Sequence, residues 1–176
     1  LLVEREIAFL SKLINGAESP YVAILGGAKI SDKIEVIEKL LGVINGLIIG
    51  GAMANTFLAA QGHAVGRSLV ETDKFQLARH LLARCEERNI RVWLPVDHVV
   101  AAEPSEGAAT AVVAVGDVGE AQMALDIGPA SIELFSSVLD GSIGANWSVP
   151  RTVFWNGPMG VFEIDAFATG TMALAR

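Results

Sequence analysis

Two lysines near the start of the chain could bind an anion. Lys29 directly follows the pair Gly26-Gly27, and Lys33 comes four residues later, in an apolar pattern of helical spacing. Glycines let the backbone approach a ligand closely, and a helix with Ser31 as its N-cap would offer unpaired N–H groups and the positive end of its dipole. Together with the two ammonium groups, these features indicate a phosphate-binding turn.

A plainer interpretation of the same residues stays open. Gly26 and Gly27 could merely form a tight strand-to-helix turn, and Lys33 could be a solvated partner of nearby acids. Against this, a lysine in the first turn of a helix has the unfavourable sign for the helix dipole, which favours a functional reason for its presence. The sequence has neither a GxxxxGK[ST] phosphate loop nor a GxGxxG fingerprint, so no standard nucleotide motif supports the turn.

Two further turns combine glycine with a few polar groups. Gly50 and Gly51 precede small residues that would either admit a flat ring such as a nucleobase or serve close packing of a helix on a sheet. The third turn, NGPMG at 156–160, offers the amide of Asn156. Glu163 beyond it is either a hydrogen-bond acceptor for ribose hydroxyls or an exposed acid.

The elements around these turns predict an α/β fold. Short apolar runs alternate with longer segments of helical period, which is typical of βα units on a parallel sheet. All three turns follow predicted strands, and the carboxyl ends of parallel strands share one edge, so we expect the turns to converge on one crevice. The predicted fold is a three-layer, Rossmann-like parallel sheet with helices on both faces. Predicted strands lie at 21–25, 46–51, 91–96, 110–115 and 152–155, and predicted helices at 3–14, 32–41, 52–61 and 73–88, after Gly128-Pro129, and in the final run FATGTMALAR.

Composition and charge exclude several classes of protein. With 176 residues, of which 52% are hydrophobic and 19% charged, the chain is predicted to be a single domain spanning residues 1–176. A net charge of −7 argues against nucleic-acid and membrane-surface binding, because both need a basic face. No apolar run approaches the roughly 20 residues that span a bilayer, and the single cysteine permits no internal disulfide. We therefore expect a cytoplasmic protein without a nucleic-acid or membrane partner.

Four other residues with reactive side chains are predicted to be structural. Asp97 and His98 are neighbours on a strand, so their side chains point to opposite faces, and no nucleophile accompanies them. Asp126 stands just before a helix and is interpreted as a cap or turn residue rather than a metal ligand. Cys85 falls inside an amphipathic helix, where a buried, inert thiol is expected. The three histidines lie far apart and have no companion cysteines, so we expect no zinc site.

Five segments carry a resemblance to a known family. They occur in the order VAILGGAKISDKIEVI, LIIGGAMANTFL, LPVDHV, ALDIGP and VFWNGPMGVFE. Together they closely resemble the carboxy-terminal, nucleotide-binding domain of the phosphoglycerate kinase family over nearly the whole chain. The resemblance implies reversible phosphoryl transfer between 1,3-bisphosphoglycerate and Mg-ADP, giving 3-phosphoglycerate and ATP in glycolysis. It also implies an amino-terminal lobe that binds the phosphoglycerate and closes on the nucleotide domain.

The resemblance also implies roles for individual residues. Lys29 matches the family lysine that meets the transferring phosphoryl group, and Lys33 matches the lysine that holds nucleotide phosphates. Leu125 would form an apolar wall for adenine, and Glu163 would bind the ribose. The remaining implied nucleotide-binding residues are Gly26, Gly27, Ala28, Gly50, Gly51, Asn156, Gly157, Pro158, Gly160 and Val161.

Three departures from the family pattern affect these expectations. Ala52 stands where the family often has a third glycine, so it would add a methyl group to the adenine pocket. The glycine-rich turn whose aspartate holds the magnesium nucleotide is expected beyond Arg176, which puts the Mg²⁺ ligand outside this chain. The substrate lobe is expected before Leu1. We therefore interpret the chain as an incomplete domain, cut at both ends and inactive alone, of an enzyme that is a monomer when complete.

Other functions stay open. A non-catalytic adenine-nucleotide-binding module would have the same turns, and a purely structural α/β domain would use its glycines only to change direction. An NAD-dependent oxidoreductase is disfavoured, because the dinucleotide fingerprint is missing and that cofactor does not require Lys29 and Lys33.

Overall fold

A computed structural model of the chain describes residues 16–176. The helix predicted at 3–14 lies outside these residues. The strands are β1 (Tyr21–Leu25), β2 (Gly46–Ile49), β3 (Arg91–Trp93), β4 (Asp97–Ala101), β5 (Ala111–Ala114), β6 (Met123–Ile127) and β7 (Thr152–Asn156). The helices are α1 (Ile34–Leu40), α2 (Gly51–Ala60), α3 (Phe75–Glu87), α4 (Pro129–Leu139) and α5 (Thr169–Leu174), with 3-10 turns at Thr72–Lys74 and Asp165–Phe167. None of these described helices has the length and apolar character to cross a membrane.

Four strands form a parallel sheet in the order β3-β2-β1-β7. All five residues of β1 are buried, as expected for a strand that is covered on both faces. Ala23 and Leu25 belong to a core shared with α1, α2 and α3, whereas Val22 and Ile24 pack with Phe135 of α4 on the other face. The predicted α/β fold, with helices on both faces of a parallel sheet, is confirmed.

A second sheet is antiparallel, which the sequence analysis did not predict. Its order is β5-β4-β6. The strand predicted at 110–115 is present as β5, but the segment 102–110 is too short for the crossover that a parallel partner of β4 would need. The strand predicted at 91–96 ends at Trp93, shortly before Pro95, which has no N–H for a ladder.

The start of α1 differs from the prediction. A helix over 32–41 with Ser31 as its N-cap was expected, but α1 begins at Ile34 and Lys33 occupies the N-cap position. The N–H of Ser31 donates to the carboxylate of Glu71 at 3.2 Å, and residues 31–33 form a turn before the helix. Lys33 therefore lies at the N-cap position, one residue before the helix, where a positive charge still has the unfavourable sign for the helix dipole.

Both buried aspartates bind helix ends: Asp97 was predicted only to be structural, and Asp126, predicted to be a cap or turn residue, binds the start of α5 and not of α4, the helix that follows it. The carboxylate of Asp97 accepts hydrogen bonds from the N–H groups of Ala130 and Ser131 in α4, at 2.9 and 2.7 Å. The carboxylate of Asp126 accepts one from the N–H of Gly170 in α5, at 2.7 Å. The single cysteine is buried inside α3, so its structural role is also confirmed.

Gly51 is a position where only glycine fits. Its φ of +64° lies in the left-handed region, and a Cβ there would stand 2.5 Å from the backbone nitrogen of Gly27. Gly62, which follows the end of α2 as predicted, has a similar φ of +96°, but a Cβ there would meet nothing within 4 Å. Substitution at Gly62 would therefore introduce backbone strain alone, whereas substitution at Gly51 would introduce backbone strain and a steric collision.

We expect Gly51→Ala to destabilise the protein more than Gly62→Ala does. Both substitutions force alanine into the left-handed region, at about 1–2 kcal/mol each. Only Gly51→Ala also drives a methyl group into backbone, which should cost roughly 1–3 kcal/mol more. Urea unfolding of the two variants measures the difference, and equal losses of unfolding free energy would show that the turns can separate at no cost.

Candidate functional site

Backbone hydrogen bonds hold the three glycine turns together. The N–H of Gly26 donates to the carbonyl of Asn156, and the N–H of Gly27 donates to the carbonyl of Pro158, both at 2.9 Å. The N–H of Gly51 donates to the carbonyl of Met159 at 3.0 Å. Because these turns follow β1, β2 and β7, which are neighbours in the parallel sheet, the predicted convergence at one edge is confirmed.

A cavity of about 400 Å³ opens where the turns meet. This volume is in the range of small-molecule sites. Ala52 lies in the cavity wall, as expected from its place beside Gly51. Eight of the residues predicted to bind the nucleotide line the same cavity: Gly27, Ala28, Gly51, Leu125, Pro158, Gly160, Val161 and Glu163.

Three predicted site glycines do not line the cavity. A Cβ at Gly26 would overlap with the carbonyl oxygen of Pro158, so the approach of the third turn requires glycine there. A Cβ at Gly50 would instead collide with the side chain of Met159. This favours the packing alternative for Gly50. Gly157 has a φ of +91°, and its carbonyl accepts a hydrogen bond from Nε1 of Trp155 at 2.7 Å.

The two predicted phosphate-binding lysines lie beside the cavity and do not form its wall. Lys29 is exposed, whereas Lys33 is half-buried and its Nζ donates a hydrogen bond to Oδ1 of Asn156. Asn156 therefore joins the first turn to the third through its side chain as well as its backbone. The partner that the structure shows for Lys33 is an amide, not one of the nearby acids.

The carboxylate of Glu71 accepts hydrogen bonds from two backbone N–H groups of the first turn. Oε2 of Glu71 accepts hydrogen bonds from the N–H of Ile30 at 2.6 Å and from the N–H of Ser31 at 3.2 Å. The expectation that unpaired N–H groups here would face a phosphate is therefore wrong for these two groups. A phosphate at this turn would have to bind other groups, among them the side chains of Lys29 and Lys33.

Three buried polar side chains in the cavity wall were not predicted as site residues. They belong to Asn55 in α2, His98 in β4 and Asp126 in β6. Asn55 is only 2% exposed, and its Nδ2 has no hydrogen-bond partner among the described residues. The one signal in the sequence is an amide inside the mostly apolar segment AMANTFL. Leu69, on the loop before α3, also lines the cavity and has no such signal.

Burial controls the charge of two of these groups. Burial lowers the pKa of His98 to about 4, although the carboxylate of Asp97 opposes this shift. Burial raises the pKa of Asp126 to about 6, against the hydrogen bonds from the N–H groups of Gly170 and Ile127. At neutral pH the cavity wall therefore holds a neutral imidazole and a charged carboxylate.

The described residues do not assemble a metal site by themselves. Within 16–176, no group of three or more His, Cys, Asp or Glu side chains is placed to hold an ion. The carboxylate of Asp126 already accepts hydrogen bonds from Ile127 at 2.9 Å and from Gly170 at 2.7 Å. A magnesium ion here would need ligands from a nucleotide or from outside the described residues.

The lowered pKa of His98 predicts a specific loss of stability in acid. The unfolded chain takes up a proton near pH 6.5, but the folded protein does so only near pH 4, so stability is lost as the pH falls between these values. At about pH 5 the loss should be about 2 kcal/mol relative to neutral pH. Because the raised pKa of Asp126 changes stability in the opposite direction over this range, the native protein is compared with His98→Gln: urea unfolding should show their difference in unfolding free energy change by about 2 kcal/mol between neutral pH and pH 5. A free-energy difference between the two proteins that is the same at both pH values would contradict the prediction.

Known proteins resemble the chain throughout its length. The phosphoglycerate kinase family matches residues 1–176. The phosphoglycerate kinase of Pelotomaculum thermopropionicum is 50% identical over 176 residues, which are 100% of this chain and 43% of that protein. The phosphoglycerate kinase of Chlorobium phaeobacteroides is 50% identical over 175 residues, which are 99% of this chain and 42% of that protein.

Solved structures resemble the fold as well. Phosphoglycerate kinase from Coxiella burnetii has a TM-score of 0.88 and 38% identity, over 99% of this chain and 43% of that chain. Phosphoglycerate kinase from Pyrococcus horikoshii OT3 has a TM-score of 0.76 and 28% identity, over 99% of this chain and 42% of that chain. The chain thus spans about 43% of the length of the relatives it matches. Since the family matches every residue, the chain belongs to the phosphoglycerate kinase family.

Proposed function

We propose that this chain is the nucleotide-binding, carboxy-terminal domain of a phosphoglycerate kinase. In the complete protein it would bind ADP or ATP, with Mg²⁺, during reversible phosphoryl transfer to and from 1,3-bisphosphoglycerate. The observation that carries the proposal is the cavity of about 400 Å³ at the carboxyl edge of the parallel sheet, with Lys29 and Lys33 beside it. Ligands of open α/β sheets bind at this edge.

The cavity suits the base and the ribose of a nucleotide. Leu125 and Val161 supply apolar walls, and Gly51 and Ala52 leave room for a flat ring. Glu163 lies in the same wall and is exposed, so its carboxylate can accept hydrogen bonds from ribose hydroxyls. We propose that adenine enters between these walls and that the ribose faces Glu163.

The lysines suit the phosphates. Phosphoryl transfer asks a protein mainly to position the reactants and neutralise charge. We propose that Lys33, which Asn156 holds toward the third turn, binds the nucleotide phosphates, and that the exposed Lys29 meets the transferring phosphoryl group. The net charge of −7 does not oppose this, because the positive field is local to the turn.

The rest of the reaction requires groups from elsewhere in the protein. We propose that residues 1–176 form one incomplete domain, that a second lobe binds 3-phosphoglycerate or 1,3-bisphosphoglycerate, and that the protein ligand for Mg²⁺ comes from outside this chain. The metal, bound with the nucleotide, would neutralise phosphate charge. The complete enzyme is proposed to be a monomer that acts in the cytoplasm.

A non-catalytic adenine-nucleotide-binding module is the second candidate. The cavity alone supports it equally well, because base and ribose binding need only the cavity walls. Lys29 distinguishes the two functions, because phosphoryl transfer as proposed requires it, whereas base and ribose binding in the cavity do not.

Replacement of Lys29 by alanine tests catalysis. In the complete protein we expect kcat to fall by on the order of 100-fold, while the KM for ADP changes by less than about threefold, because the lysine acts mainly in the transition state. Lys39→Ala, which removes an exposed lysine from the last turn of α1, should leave both values unchanged. An unaltered kcat in Lys29→Ala would remove Lys29 from the mechanism, whereas no turnover at all in the complete native protein would favour the non-catalytic module.

Enlargement of Ala52 tests the cavity. Ala52→Leu should weaken Mg-ADP binding by on the order of tenfold, because three added carbon atoms would occupy space assigned to the base. Ala59→Leu is the matched control, since Ala59 is half-buried on the same helix but does not line the cavity. Calorimetry with Mg-ADP gives the affinities, and equal affinities for the two variants would exclude this cavity as the nucleotide site.

A further inference from the structure

We propose that Glu71 is a positioning residue that holds the lysine-bearing turn in place for phosphoryl transfer. Its carboxylate acts through two backbone N–H groups and does not touch the substrate. The inference rests on the proposed function, because it concerns the same two lysines. It goes further in assigning a role in catalysis to a carboxylate that lies on a different loop.

The carboxylate bonds to the middle of the turn. Oε2 of Glu71 accepts the N–H of Ile30 at 2.6 Å and the N–H of Ser31 at 3.2 Å. Lys29 immediately precedes this pair of amides, and Lys33 follows it by two residues. A movement of the two amides would therefore carry both lysines with it. Hydrogen bonds to an ionised acceptor are stronger than neutral ones, which suits this carboxylate to fix a backbone.

Glu71 is itself fixed to α2. Its own N–H donates to Oγ1 of Thr56 at 3.1 Å, and Thr56 is only 1% exposed. The helix that carries Thr56 begins at Gly51, in the cavity wall. The contacts thus connect the lysine-bearing turn to the element that forms one side of the cavity.

The turn needs such support. The segment follows two glycines, which restrict the backbone least, and regular helix begins only at Ile34. Between them, Ile30 is fully buried and its carbonyl accepts the N–H of Lys33 at 2.9 Å. Catalysis by positioned charge is sensitive to small displacements, so the side chain that fixes these amides should affect turnover.

Substitutions of Glu71 in the complete protein test the proposal. Glu71→Ala removes the acceptor, and we expect kcat to fall by roughly 10- to 100-fold with a much smaller change in the KM for ADP. Glu71→Gln keeps an oxygen acceptor of the same reach and should stay within about threefold of the native kcat. Glu71→Asp keeps the charge but shortens the side chain by one methylene, and we expect an intermediate loss. Asp73→Ala is the control, since Asp73 is an exposed carboxylate on the adjoining 3-10 turn that pairs with Lys74.

Hydrogen exchange separates this inference from the proposed function. The amides of Ile30 and Ser31 should exchange faster in Glu71→Ala and remain protected in Glu71→Gln, whether or not the protein is a kinase. If the native protein did not bind Mg-ADP, the proposed function would fail. The exchange data would still test whether Glu71 holds the amides of Ile30 and Ser31 in place. If Glu71→Ala unfolds at a much lower temperature than the native protein, the kcat values of Glu71→Gln and Glu71→Asp would test the proposal instead.

Two results would overturn the proposal. One is a kcat for Glu71→Ala equal to that of Asp73→Ala. The other is an equal loss of kcat in Glu71→Gln and Glu71→Ala, which would show that an acceptor at this position is not what catalysis requires.

Discussion

The backbone of Gly51 lies so close to that of Gly27 that no side chain fits between them. This contact brings the end of β2 against the end of β1, and the hydrogen bonds from Gly26 and Gly27 bring the turn after β7 to the same place. The cavity opens where these turns meet, so its shape depends on the distances between the three turns. The position of Lys33 depends on it too, because its partner Asn156 belongs to the third turn.

A chain with a net charge of −7 needs its positive charge concentrated locally if it is to bind phosphate at the proposed turn. The carboxylate of Glu71 accepts hydrogen bonds from N–H groups in this turn, and the carboxylate of Asp126, in the cavity wall, accepts one from the N–H of Gly170. Such bonds spread the negative charge into the backbone dipoles. In the proposal, the ammonium groups of Lys29 and Lys33 supply the local positive charge at the turn, against the negative net charge of the chain.

Local patterns were sufficient to predict the parallel sheet. Strands β1 and β2 are continuous apolar runs that end in glycine, and α4 begins with a proline, so each carries its own signal. The start of α1 could not be predicted in this way, because it depends on a carboxylate 40 positions further along the chain. The antiparallel sheet was missed because β4 and β6 were not predicted as separate strands, and β5, which was predicted, is mostly exposed and shows no alternation that would assign it to a second sheet.

The candidate site was predictable to a similar degree. Glycine turns after strands identified the cavity, since topology alone sends them to one edge. His98 and Leu69 reach the same cavity from a second sheet and from a loop, and their positions follow only from the tertiary fold. Asn55 has a weak local signal, but an amide in an apolar helix does not say which cavity it will face.

The terminal place of β7 in the sheet has a consequence for handling the chain. Within residues 16–176, β7 pairs with β1 on one side only, and Val153 in its middle is 47% exposed. An apolar strand with an unpaired edge is a template for strand addition from another molecule. A preparation restricted to these 176 residues would therefore tend to associate through the edge of β7, unless another segment covers that edge. The extent of association would rise with protein concentration.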